Sequence, residues 1–198
     1  MTLPNFKYFF NNKAEVLDVV LHGGSQGMDS GFINKITEAS RKEGNSVVAF
    51  NFPYIERGQE NSSGPELLEE IEALQNILDY CQSDKYKHIR LVGKSLGGVV
   101  AAAYLKKQTS DQMKKYSVII FGYDIGYIDI KGFSGKIAVV QGSKDKFGDI
   151  DAVKQDIIGS ISKDITYFSI EGADHSYRVP ETKEPIYEDE AIKVVFRQ

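Results

Sequence analysis

A serine, an imidazole and a carboxylate suffice for nucleophilic acyl transfer if a fold brings them together. The serine candidate is Ser95, in Gly93-Lys94-Ser95-Leu96-Gly97, which follows the apolar run His88 to Val92 and precedes an apolar segment, Leu96 to Lys107. Between a strand and a helix, this G-x-S-x-G pattern predicts a nucleophile elbow, a turn so tight that side chains beside the serine would strike a neighbouring element. The serine should then sit in a strained backbone conformation with its hydroxyl above the sheet. The competing reading is a glycine-rich turn with a capping serine.

A serine hydroxyl is a poor nucleophile until a base takes its proton. The chain has three histidines, His22, His88 and His175. His175 lies in Glu171-Gly172-Ala173-Asp174-His175-Ser176, a polar loop after the last apolar run, and is the base by elimination and position. His88, after Lys85 and Lys87, reads as a surface histidine. The imidazole in turn needs a carboxylate to fix its tautomer. Asp145 ends Gln141-Gly142-Ser143-Lys144-Asp145, directly after the run Ile137 to Val140. Asp124, after Phe121-Gly122-Tyr123, is the alternative acid, and Asp149 reads as a cap. The order Ser95, Asp145, His175 favours Asp145.

The tetrahedral intermediate needs backbone N–H donors. Leu96, next to the nucleophile, supplies one. Leu21-His22-Gly23-Gly24-Ser25-Gln26-Gly27 follows the first long apolar run, and Ser25 or Gly24 supplies the other. His22 is expected to hold this loop by hydrogen bonds. A phosphate cradle is the alternative for these glycines, but the loop lacks the G-K-[ST] ending and the G-x-G-x-x-G spacing.

These residues must be carried by elements that alternate. Short runs rich in Val, Ile and Leu, at Val16 to Leu21, Ser46 to Phe50, Ile89 to Val92, Ser117 to Phe121, Ile137 to Gln141 and Ile165 to Ile170, predict six parallel strands covered on both faces. Helices are expected at Asp29 to Glu43, Pro65 to Gln82, Leu96 to Lys107, Asp149 to Ser160 and Ile186 to Phe196. Ser63 or Gly64 would cap the second, with Pro65 in its first turn. Cys81 falls on that helix's apolar stripe and reads as core, with a reactive thiol as the alternative. The first dozen residues, rich in aromatics, could add an edge strand.

A net charge of −4 argues against nucleic acid as a partner. One cysteine excludes an internal disulfide or a cysteine zinc cluster. The N-terminal segment has neither a basic nor a continuous apolar stretch, and the longest apolar run, Val99 to Leu105, is far below the ~20 residues that cross a bilayer. The expectation is a cytoplasmic protein without a membrane partner, folded as one domain over residues 1–198.

The elbow at Ser95, the HGG segment at His22, the GSKD segment ending in Asp145 and the ADHS segment around His175 together resemble the α/β-hydrolase superfamily. The likeness covers about residues 16–197. It is nearest the small lidless branch similar to dienelactone hydrolases and KANL/Tex-type hydrolase-like proteins. Dienelactone hydrolases carry a cysteine nucleophile where this chain has Ser95, so their substrate does not transfer. The resemblance implies a doubly wound, mostly parallel sheet, no metal, no organic cofactor, and acyl transfer through a serine ester on a small-molecule acyl substrate. It leaves open an amidase or peptidase of the same fold, or a non-catalytic binding protein. The segment 122–136 is too short for a lid domain, and the usual N-terminal antiparallel strand pair is largely absent. An open site is expected, lined by Tyr54, Arg57, Tyr123 and Tyr177.

Overall fold

The computed structural model describes residues 2–196. Seven strands form one sheet: β1 (Phe6–Phe9), β2 (Val16–Leu21), β3 (Ser46–Phe50), β4 (His88–Lys94), β5 (Tyr116–Phe121), β6 (Lys136–Gly142) and β7 (Ile165–Ile170). Their order is β1-β3-β2-β4-β5-β6-β7. The six expected parallel strands are β2 to β7. The seventh, β1, pairs antiparallel on β3 with Phe6 opposite Phe50. Alternation explains it: Phe6 and Tyr8 pack against one core and Phe9 against the other, so a short aromatic segment extends both faces of the edge.

Parallel strands need crossovers, and these contain α1 (Gly31–Lys42), α2 (Pro53–Glu56), α3 (Leu68–Tyr80), α4 (Leu96–Lys106), α5 (Ser110–Met113) and α6 (Ile150–Asp156), while α7 (Glu188–Lys193) follows β7. Successive strand residues face opposite layers. Leu17, Val19 and Leu21 of β2 join Leu74 and Ile77 of α3 and Val100 and Leu105 of α4 in one core. Val20 joins Ile33 and Ile36 of α1 and Ile192 of α7 in the other. Side chains such as Leu74 and Ile36 are fully buried, and each contributes about 1.5–3 kcal/mol. No helix of the described residues is long and apolar enough to cross a membrane.

One helix start departs from expectation. Helix α3 begins at Leu68, after Leu67 in a left-handed conformation (φ 51°, ψ 37°), and Ser63 does not cap it at Pro65. The fully buried Glu70 explains the shift. Its carboxylate accepts the N–H of Ser63 at 3.0 Å and the Ser63 hydroxyl at 2.5 Å, drawing the loop back over the first turn.

The chain leaves β2 towards β3 on one side and returns to β4 on the other. The sheet order therefore reverses between β2 and β4, and the loops leaving their carboxyl ends diverge and open a crevice. Ser95 and the loop 22–27 border it.

Candidate active site

The turn from β4 to α4 places Ser95 at φ 49°, ψ −116°, a conformation that an L-residue holds only under strain. A Cβ at Gly93 would lie 2.5 Å from the carbonyl carbon of Gly97, and one at Gly97 would lie 2.3 Å from the carbonyl oxygen of Leu21. Both neighbours must be glycine. The backbone N–H groups of Leu96, Gly24 and Ser25 have no acceptor among the described residues and border the serine.

Three side chains hold the loop after β2. His22 is fully buried. Its Nε2 accepts the N–H of Phe52 at 2.9 Å, so Nδ1 carries the proton and donates to the Gly23 carbonyl at 2.7 Å. Burial pushes this imidazole down to about 4. Asn51 accepts the N–H of Met28 at 2.9 Å, and the Tyr54 hydroxyl donates to the Gly24 carbonyl at 2.9 Å.

His175, in the loop after β7, donates Nδ1–H to Asp145 Oδ2 at 2.7 Å. Asp145 also accepts from Gln141 Nε2 and from the N–H of Phe147, each at 2.9 Å, which fixes the carboxylate. The Phe147 ring meets the imidazole edge-on at 4.8 Å. From the elbow, the Lys94 ammonium donates to the His175 carbonyl at 2.8 Å. Burial pushes that ammonium down to about 8, against the attraction of Asp124, Asp145 and Asp174. The Ser95 hydroxyl donates to Asp124 Oδ2 at 2.9 Å, and Asp124 Oδ1 lies 3.6 Å from His175 Nε2. No group of three or more His, Cys, Asp or Glu among the described residues is arranged to hold a metal ion.

An alpha/beta hydrolase domain model matches residues 14–197 of the chain. The chain belongs to the α/β-hydrolase family. A search of curated proteins finds no sequence match. Among solved structures, an α/β serine hydrolase homologue from Coxiella burnetii is similar, with 16% identity, TM-score 0.72, and coverage of 96% of this chain and 90% of that one. A lidless α/β serine hydrolase from Xanthomonas campestris has 19% identity and TM-score 0.69, covering 97% and 84%. A cold-adapted esterase from an Arctic intertidal metagenomic library has 13% identity and TM-score 0.66, covering 95% and 87%. At these identities the likeness is one of fold.

In this α/β-hydrolase, Ser95, Asp145, His175, Leu96, Gly24 and Ser25 gather at one edge of the sheet. The expected lining residues do not. Tyr54, Tyr123 and Tyr177 are buried. Their hydroxyls donate to the carbonyls of Gly24, Ile128 and Val140, because a buried phenol must find an acceptor. Arg57 is exposed and paired with Glu69, away from the crevice. The walls are made instead by Ile55, Lys144, Phe147, Ser176 and Arg178. The segment 122–135 carries no helix or strand, so no lid element stands between β5 and β6. Gln141 is a supporting residue that sequence reading passes over: it ties Asp145 to the N–H of Tyr123, accepted at 2.7 Å. Nothing in a strand-end glutamine signals that role. Cys81 is buried in the core, which pushes its thiol up to about 12.

Proposed function

We propose that this α/β-hydrolase is a serine hydrolase that cleaves a small or exposed carboxylic ester. The observation that carries the proposal is the 2.7 Å hydrogen bond from His175 Nδ1 to Asp145, with Nε2 on the side of the Asp124 carboxylate that holds the Ser95 hydroxyl. The Ser95 hydroxyl swings from Asp124 to His175 Nε2, a contact of the kind that commonly tightens only with substrate bound. Its oxygen attacks the ester carbonyl while His175 takes the proton. The N–H groups of Leu96 and Ser25 or Gly24 hold the oxyanion. His175 then returns the proton to the departing alcohol. Water, deprotonated by the same imidazole, releases the acid and restores Ser95.

An active-site-directed fluorophosphonate tests this directly, since only an activated serine reacts. Labelling of the wild type, lost in Ser95→Ala together with hydrolysis of p-nitrophenyl acetate, is the expected result. An unlabelled wild type would identify a hydrolase-fold binding protein, and turnover by Ser95→Ala would remove the serine from its role.

A further inference from the structure

Two cavities meet at the nucleophile, and Gly24, Ser25, Ser95, His175 and Ser176 border both. The smaller, of 180 Å³, runs between the loop 23–26, the start of α1 and the side chains of Lys94 and Arg178. The larger, of 1030 Å³, opens outward past Lys144, Lys146 and Phe147.

The chain is acidic overall, with a net charge of −4. Two wall carboxylates are paired, Glu188 with Lys35 at 3.2 Å and Asp174 with Lys183 at 3.3 Å, and a third, Glu60, lines only the larger cavity. Asp124 accepts from Ser95. Arg178 is different. Its guanidinium lies within ion-pair distance of no carboxylate among the described residues, and its Nε is buried without a hydrogen-bond acceptor. An unmet charged donor of this kind costs more than the ~1–3 kcal/mol of a neutral one, unless a ligand supplies the acceptor. Lys94 brings a second, buried cation to the same cavity.

We infer that the substrate carries a carboxylate on its acyl part, as in a monoester of a short dicarboxylic acid, and that Arg178 and Lys94 hold this carboxylate in the smaller cavity. The inference rests on the serine-hydrolase reading. A volume of 180 Å³ equals the liquid share of about six waters, room for a short carboxylate-ended arm and too little for a long hydrocarbon tail. The acyl part belongs in this narrower space because it stays bound through the acyl-enzyme stage. The alcohol leaves through the larger, open cavity. Lys144 and Lys146 at that mouth raise the local concentration of anions. A guanidinium suits a carboxylate because its donors match the two oxygens.

The test compares two p-nitrophenyl esters of equal chain length, the hemiglutarate and the pentanoate, after subtraction of spontaneous hydrolysis. The wild type is expected to prefer the hemiglutarate in kcat/KM by at least about tenfold, the scale of a single charge-assisted hydrogen bond. Arg178→Gln should bring the ratio of the two towards one, and Arg178→Lys should keep part of it. Rising ionic strength should lower the ratio in the wild type and in Arg178→Lys, but not in Arg178→Gln. Because the wild-type comparison needs no variant, a misfolded Arg178→Gln does not remove the test. Turnover of the pentanoate with no preference for the hemiglutarate, or a preference that survives in Arg178→Gln, would overturn the inference and leave the hydrolase reading standing. Failure to turn over either ester, with no fluorophosphonate label on Ser95, would overturn both.

Discussion

Asp124 touches the elbow serine: its Oδ2 accepts the Ser95 hydroxyl at 2.9 Å, and its buried Oδ1 faces His175 Nε2 at 3.6 Å. Asp145 meets the opposite nitrogen, Nδ1, at 2.7 Å. The imidazole therefore stands between two carboxylates with different duties. Only the group at Nδ1 can dictate which nitrogen carries the proton. The group at Nε2 occupies the side on which, in the proposed reaction, the serine and the substrate act.

Replacement of each carboxylate by its amide separates these duties. Asp145→Asn should lower kcat by up to about 10⁴-fold, since an amide NH₂ facing Nδ1 selects the wrong tautomer. Asp124→Asn keeps an acceptor for the serine hydroxyl and should cost less than about 10²-fold, below the contribution of a group that itself carries the proton. Steady-state kinetics on both variants, side by side, decide the assignment. If Asp124→Asn is the dead enzyme, the acid has been placed on the wrong loop.

The fully buried His22 makes stability depend on pH. Its imidazole is held neutral in the fold, down to about 4 from an ordinary 6.5, so the unfolded chain binds the extra proton first as pH falls. The contribution is complete above pH 6.5 and is lost between there and about pH 4, reaching about 3 kcal/mol. Urea unfolding at pH 7 and pH 4.5 should therefore show a larger loss for the wild type than for His22→Asn, which has no proton to gain. Equal losses in the two proteins would mean that His22 is not the titrating group.

Without a lid element over the crevice, a long acyl tail remains in water. A closed groove would raise the rate with chain length through burial of about 0.8 kcal/mol per CH₂. Here kcat/KM for p-nitrophenyl esters should be flat or falling from butyrate to dodecanoate. A maximum at dodecanoate would reveal an acyl groove absent from this fold.

The sheet was legible in the sequence because its strands read as short runs rich in Val, Ile, Leu and aromatic residues; Val16–Leu21, Ser46–Phe50 and Ile165–Ile170 match observed strands. The gathering of Ser95, Asp145 and His175 was legible because each lies in the turn or loop after such a run, and the carboxyl ends of parallel strands lie together. What stayed hidden depends on contacts between distant segments. Asp18 interrupts the run in β2, and only the fold reveals Arg90 of β4 donating to it at 2.8 Å. The buried tyrosines read as lining of the site because a carbonyl acceptor leaves no trace in the residues around Tyr123 or Tyr177. Arg178 was passed over for a related reason. Its distinguishing feature is a guanidinium with no ion-pair partner among the described residues.

The backbone of Ser95 carries one further consequence. At φ 49°, ψ −116° a residue with a Cβ costs about 1–3 kcal/mol, a burden the hydroxyl does not cause and its removal does not relieve. Ser95→Ala keeps that burden and should melt slightly below the wild type, for the lost hydrogen bond to Asp124. Ser95→Gly should melt higher, less the ~0.5–1 kcal/mol of extra freedom that glycine gives the unfolded chain. Reactivity and durability thus compete for the same backbone position, and the substitution that rests most easily in the elbow is one that can never attack an ester.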